Sequence, residues 1–186
     1  NFEEWVTLET QEPADWQTLN MVSVGLGKQS STPSTSSHEG TYAIRIESVP
    51  TSYGANFGYI TNGQFGNDGP PKGGLAVAAN PMLVSGYYKY LPNGQDTALA
   101  ALFSYRYNAI EEKSEIVEGK IVRLPPKENY TYFEILLNYN ETSMVDTLNI
   151  TFAANDMENQ VFNEGSVLYI DNLTISYYDL PTKTTL

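Results

Sequence analysis

The sequence has no cysteine, little histidine and few basic residues. Its 186 residues include one histidine, His38, and 10 Lys+Arg against 22 Asp+Glu. The absence of cysteine excludes disulfide frameworks, cysteine-ligated zinc, iron–sulfur clusters and thiol nucleophiles. The net charge of −12 argues against a nucleic-acid partner, because phosphate backbones are bound by basic stripes.

Long hydrophobic runs are also missing. The longest apolar runs, such as those over 75–79 and 98–103, are far shorter than the roughly 20 residues of a membrane helix, so we expect no membrane span in this chain. The chain starts at Asn1 rather than Met and shows no signal peptide. We therefore expect a mature or trimmed form from which any targeting segment was removed. The lack of cysteine is compatible with an exported bacterial protein that folds without disulfides.

The residues that are present favour β-strands. Apolar residues make up 41 % of the chain, which also contains 14 tyrosines, 14 glycines and 10 prolines. Apolar and polar residues alternate over 42–47, 132–139 and 148–152, as in half-buried strands. Further strands are predicted over 2–8, 21–26, 57–61, 75–79, 82–91, 97–107, 114–124 and 167–178. We predict an all-β, two-sheet antiparallel β-sandwich over 1–179, with a Ser/Thr-rich loop at 29–37 and a flexible tail or linker at 180–186.

One acidic residue breaks the pattern of the last predicted strand. Asp171 has the same parity as Tyr169, Leu173 and Ile175, and a buried carboxylate without a partner is costly. Three arrangements are open: a bulge that inverts the parity, hydrogen bonds to the carboxylate, or a bound cation. In the last case Glu3 is a candidate second ligand, because the first and last strands of a sandwich are often neighbours. Oxygen ligands of this kind suit Ca²⁺.

Several short motifs occur in a familiar order. They are FEEW at 2–5, Trp16, HEGTYAIRI at 38–46, GYYKY at 86–90 and YIDNL at 169–173. Over about residues 1–178 the chain thereby resembles the jelly-roll carbohydrate-binding modules of families 4 and 9. It resembles still more closely the "putative carbohydrate metabolism domain" of exported Bacteroidetes proteins. The resemblance implies a jelly roll with a structural calcium held by Glu3, by the turn at 37–41 that contains Glu39, and by Asp171.

Candidate ligand-binding residues come from the tyrosine-rich strands. A sugar ring presents an apolar C–H face to flat aromatic rings and hydroxyls to polar side chains. We expect a cleft on one face of the central sheet that carries Tyr87, Lys89, Tyr105, Arg106, Tyr132 and Glu134. His38 is expected at a loop-to-strand junction, without a catalytic role, and Trp16 is expected to be structural.

Three classes of function remain to be compared. We predict a non-catalytic module that binds polysaccharide or glycan, exported to the outer membrane surface or periplasm of a Gram-negative bacterium. The first alternative is a glycoside hydrolase, which needs two carboxylates at a fixed separation. With 22 acids no pair stands out, so we assign no catalytic residue. The second alternative is a surface scaffold or adhesion module that binds protein.

Overall fold

Alternating apolar residues fold the described part of this chain into strands that build two main antiparallel sheets and one two-stranded sheet, formed by Val49–Pro50 and Asn56–Phe57. The structure is a computed structural model that describes residues 9–52, 54, 56–65, 69–140 and 143–177. Its strands are β1 (Gln17–Thr18), β2 (Ser31–Ser34), β3 (Ala43–Glu47), β4 (Val49–Pro50), β5 (Asn56–Phe57), β6 (Tyr59–Thr61), β7 (Leu75–Ala76), β8 (Pro81–Leu91), β9 (Ala98–Asn108), β10 (Lys113–Leu124), β11 (Lys127–Leu136), β12 (Thr147–Ala153) and β13 (Val167–Tyr177). An α-helical turn, α1, spans Asn20–Ser23 and a 3₁₀ turn spans Val24–Leu26.

The two sheets enclose one hydrophobic core. Sheet A has the strand order β1-β6-β12-β9-β10, with β7 also paired to β12, and sheet B has the order β11-β8-β13-β3-β2. The core takes Tyr88 and Leu168 from sheet B and Leu102 and Phe152 from sheet A, all at most 3 % exposed. Because both sheets contribute to one core, the fold is the predicted β-sandwich. The half-buried Trp16 packs against this core, as expected of a structural residue.

A bulge in β13 resolves the parity of its acidic residue. Leu168 and Ile170 point into the core, and after one extra residue Leu173 packs against the same core. The register of β13 against β8 shifts between residues 171 and 174, where Asn172 has φ 50°. Asp171 therefore lies on the outer face of sheet B instead of in the core. Of the three open arrangements, the bulge is the one that places this residue.

Two predicted elements differ from the structure. The segment 21–26 was expected to be a strand, but it forms helical turns. The Asn20 side chain fixes the start of these turns against β2, because its amide donates to Ser31 O and its oxygen accepts from Ser31 N. Met21, at 72 % exposed, points away from the core. The expected loop at 29–37 contains β2, the outermost strand of sheet B among the described residues. Such a strand tolerates Pro33, because no described strand pairs with the other side of its backbone. The predicted strand at 2–8 and the tail at 180–186 lie outside the described residues.

A buried carboxylate fixes the loop that follows β12. Asp96 is 3 % exposed, and one oxygen accepts from Thr97 N and Asp156 N. The other oxygen accepts from the Asn155 amide, from the backbone N–H of residue 163 and from the Ser166 hydroxyl. Five donors leave this acid fully hydrogen-bonded, so its role is to hold the loop in place.

We expect Asp96→Asn to lower the free energy of unfolding by about 2–4 kcal/mol. The new NH₂ group would face donors, and each orphaned buried donor costs about 1–3 kcal/mol. Chemical denaturation measures this change, with the exposed Glu128→Gln as the matched control, expected within about 0.5 kcal/mol of the parent. Equal stabilities for the two variants would contradict the assigned role of Asp96.

Candidate functional site

Four of the predicted ligand residues lie together on the outer face of sheet B. Tyr87 and Lys89 on β8 alternate with the inward Tyr88 and Tyr90. Across the sheet, Tyr132 of β11 pairs with Tyr87. We call this surface the tyrosine face and define it as Tyr87, Lys89, Tyr130, Tyr132, Glu134 and Tyr169.

The rings of the tyrosine face meet at steep angles. The centroids of Tyr87 and Tyr132 lie 5.6 Å apart with an interplanar angle of 64°. Tyr132 is 49 % exposed, and its hydroxyl donates to Glu134 Oε2 at 3.3 Å. An exposed ring beside an exposed carboxylate offers both contacts that a sugar uses, a flat apolar surface and a hydroxyl acceptor.

A lysine that pairs with no carboxylate of the described residues lies among these rings. The Nζ of Lys89 is 4.1 Å from the ring centroid of Tyr169 and 5.4 Å from that of Tyr130. It donates to Ser36 Oγ at 2.7 Å. None of the ion pairs between described residues involves Lys89. The aromatic faces stabilise the ammonium group of Lys89 in place of an acid. For the neighbouring Tyr130, burial raises the pKa of the hydroxyl to about 12, and the charges of Asp171 and Tyr169 add to this effect.

The loop before β3 folds over the tyrosine face and is held there by β13. Asp171 Oδ2 accepts from the backbone N–H of His38 at 2.7 Å and from that of Glu39 at 3.1 Å. The imidazole of His38 stacks on Tyr87, with centroids 3.6 Å apart and an interplanar angle of 11°. The hydroxyl of Tyr130 donates to the Ser36 carbonyl. One side of Tyr87 is thus covered, and Tyr132 is the more accessible ring.

The expected calcium ligands are only partly described. Glu3 lies outside the described residues. Asp171 directs one oxygen at the N–H groups of residues 38 and 39 and the other at Asn172 N, 2.8 Å away. Among the described residues, no three His, Asp or Glu side chains lie close enough to hold a metal ion. Each carboxylate oxygen has two lone pairs, so these N–H contacts neither supply nor exclude a bound cation. The calcium site stays a prediction that depends on Glu3.

Tyr105 and Arg106 do not join the other four residues. Both lie on β9 of sheet A, whereas the prediction placed all six residues on one sheet. Tyr105 is 5 % exposed and donates its hydroxyl to the Pro71 carbonyl at 2.6 Å. Phe65 packs on Tyr59, with ring centroids 4.8 Å apart. Residues that follow β6 thereby cover this part of sheet A. Arg106 is exposed, but its neighbour Tyr105 is buried and offers no ring surface to a ligand.

Sequence reasoning missed two contributors to this face, Tyr169 and the His38 stack. Tyr130, which has the parity of Tyr132 and Glu134, was among the tyrosines considered for the central sheet but was not selected as a ligand residue. Tyr169 has the parity of Asp171 and was identifiable in the same way once the bulge was placed. The His38 stack joins residues 49 positions apart, and no local pattern indicates such a contact.

The comparisons with known proteins address the fold. No family model matches the chain, and no curated protein matches it. Among solved structures, a "putative glycoside hydrolase" from Bacteroides thetaiotaomicron superposes with a TM-score of 0.71 at 15 % identity, over 89 % of this chain and 63 % of that one. A family 16 carbohydrate-binding module superposes with a TM-score of 0.50 at 9 % identity, over 79 % of this chain and 85 % of that one.

This chain has the jelly-roll fold of carbohydrate-binding modules. The same fold occurs in the enzymatically active domain of a tailspike protein from bacteriophage CBA120, with a TM-score of 0.53, 10 % identity and coverage of 89 % of this chain but 20 % of that one. The predicted resemblance is therefore confirmed at the level of the fold. The chain spans about two thirds of the Bacteroides structure's length, at 63 %.

We expect Asp171→Ala to release the loop from the tyrosine face. Removing the carboxylate leaves the N–H groups of His38 and Glu39 without their acceptor. Their amide hydrogen exchange should accelerate by about tenfold or more, the equivalent of about 1.4 kcal/mol of local stability. Exchange at Leu102 in the core serves as the internal reference. Unchanged exchange at residues 38 and 39 would contradict the anchoring role of Asp171.

Proposed function

We propose that this domain is a carbohydrate-binding module that takes up a polysaccharide or glycan chain on the tyrosine face. The observation that carries the proposal is the pairing of Tyr132, 49 % exposed, with the adjacent Glu134 and Tyr87. The likeness of the fold to a carbohydrate-binding module supports the ligand class. The proposal includes the export of the protein to the surface or periplasm of a Gram-negative bacterium, where such polymers occur.

The opposite face of the sandwich is a poorer candidate. Its polar groups bind one another: the Thr151 hydroxyl donates to Asn149 Oδ1 at 2.9 Å, and the Asn149 amide donates to Thr61 Oγ1 at 3.1 Å. All three residues are at most 5 % exposed. A cleft on this face, of about 290 Å³, is lined mainly by apolar side chains such as Phe103 and Ile121. Such a surface offers few partners to sugar hydroxyls.

The chemistry of the proposed contact is binding rather than bond cleavage. Tyr132 supplies the ring surface, Glu134 accepts hydroxyl protons and Lys89 donates to oxygen atoms. Among the described residues, no hydrogen bond or ion pair of the tyrosine face brings a second carboxylate to Glu134. Hydrolysis by a carboxylate pair stays the alternative that a product assay on bound glycans tests.

We expect Tyr132→Ala to weaken glycan binding about tenfold or more, a loss of about 1.4 kcal/mol. The test is a glycan array on the purified domain, followed by titration calorimetry with the glycans that bind. Tyr107→Ala is the matched control, because Tyr107 is similarly exposed, at 53 %, but lies on sheet A.

If the folded protein binds no glycan on the array, the proposal is overturned and a protein-binding scaffold becomes the favoured function. Glycan binding that Tyr107→Ala weakens and Tyr132→Ala leaves unchanged would place the ligand on the other sheet.

A further inference from the structure

A second cavity lies at the edge of sheet A, away from the tyrosine face. It has a volume of about 560 Å³ and is bordered by Trp16 and by the segments 62–64 and 72–74. These segments follow β6 and precede β7, two short strands that pair with different parts of β12. The interruption between β6 and β7 opens the space, which we call the edge cavity.

Asparagine side chains hold the interrupted edge in shape. The Asn62 amide donates to Leu148 O at 3.1 Å, and its oxygen accepts from Ile150 N at 2.8 Å. The Asn149 amide donates to Gly73 O at 3.2 Å. These bonds replace the missing backbone ladder, so the walls of the cavity are fixed before any ligand arrives.

Glycines bring the backbone close to β12 beneath the cavity. A Cβ on Gly63 would lie 2.2 Å from Asn149 Nδ2, and a Cβ on Gly74 would lie 2.3 Å from Leu148 O. Gly74 also has φ 143°, a conformation that other residues rarely adopt. The absence of side chains at these positions lets the segments that border the cavity pack directly against β12.

Three polar side chains at the cavity have no partner in the described part of the chain. Asp15, Gln64 and Lys72 are exposed, and no hydrogen bond or ion pair to a described residue engages their side chains. Gln64 and Lys72 are held opposite each other by their backbones, with Gln64 N donating to Lys72 O and Lys72 N donating to Gln64 O. Asp15 sits in a turn with φ 62°, closed by Trp16 N donating to Pro13 O.

The cavity thus combines an indole, a carboxylate, an amide and an ammonium. Asp15 and Lys72 cancel in charge, although the whole chain carries −12. A neutral ligand rich in hydroxyl groups matches this set, because the carboxylate accepts from hydroxyls, the ammonium donates to them and the amide does both. The indole of Trp16 supplies an apolar surface for C–H groups.

We propose that the edge cavity is a second saccharide site, which holds one or two neutral sugar units. The choice of a saccharide as ligand rests on the proposed function. The location of the site does not, because the edge cavity lies at sheet A and the tyrosine face lies on sheet B. Two sites on one domain let a single polysaccharide chain, or two neighbouring chains, bind with a raised effective concentration.

The test is a nuclear magnetic resonance titration with four disaccharide probes, cellobiose, maltose, lactose and xylobiose, at millimolar concentration. The indole N–H signal of Trp16, assigned with Trp16→Phe, reports on the edge cavity, and the amides of β11 report on the tyrosine face. We expect at least one probe to shift the Trp16 signal. Gln64→Ala and Lys72→Gln should each weaken that binding about fivefold to tenfold.

Asp15→Asn removes the charge while Asn still tolerates the positive φ, so this variant should fold and bind more weakly. Lys113→Gln is the control, because Lys113 is an exposed lysine of β10 that makes only surface ion pairs.

The outcomes separate the two proposals. A Trp16 shift that survives Tyr132→Ala and weakens in the cavity variants supports the second site, even if the tyrosine face binds nothing. Shifts confined to β11 and abolished by Tyr132→Ala overturn the second site and leave the proposed function standing. An indole signal that no probe moves, or a response equal in the Lys72→Gln and Lys113→Gln variants, also overturns it.

Discussion

The outer face of sheet B depends on one extra residue in its central strand. Asn172, with φ 50°, shifts the register of β13 against β8, so that Leu168 and Leu173 both reach the core although their positions differ in parity. The same bulge leaves Asp171 outside. Without it, either the carboxylate would be buried or the second half of the strand would turn its apolar residues to solvent.

The outward carboxylate then organises the surface around it. Asp171 accepts hydrogen bonds from the backbone N–H groups of His38 and Glu39, which holds the loop against the sheet. The imidazole of His38 is thereby placed on the ring of Tyr87. The loop in turn supplies the Ser36 hydroxyl that Lys89 contacts. A strand irregularity, a loop anchor and an aromatic cluster are therefore one connected arrangement. Its stiffness is what a binding surface requires, since ordering a loose surface would lower the affinity.

The sequence predicted the fold well because most of its strands alternate. Residues 97–107 and 167–178 carry enough apolar positions that both strands follow from pattern alone. The inward face of the second strand does not, because it changes parity at the bulge. The failures have identifiable causes. Residues 21–26 alternate like a strand, but the buried Asn20 binds the backbone of β2 and favours helical turns there. Tyr105 and Tyr87 lie on different sheets because of the way the strands pair. That pairing is set by contacts between residues far apart in the sequence.

The candidate site was predictable only in part for the same reason. Tyr132 and Glu134 follow from parity on one strand, whereas the His38 stack and the edge cavity arise where separate segments meet. Asp171 was identified as anomalous, and the structure explains the anomaly through the bulge, which places the carboxylate on the outer face, where backbone N–H groups donate to it. The predicted calcium at this position stays a prediction, because it involves Glu3 outside the described residues.

The most direct measurement is amide chemical-shift mapping of the domain with an oligosaccharide that binds on the array. The account predicts that the perturbed amides include a continuous patch on β8, β11 and β13, centred on Tyr87 and Tyr132. A bound oligosaccharide that leaves the amides of β8 and β11 unchanged would contradict the assignment of the tyrosine face as the glycan-binding surface.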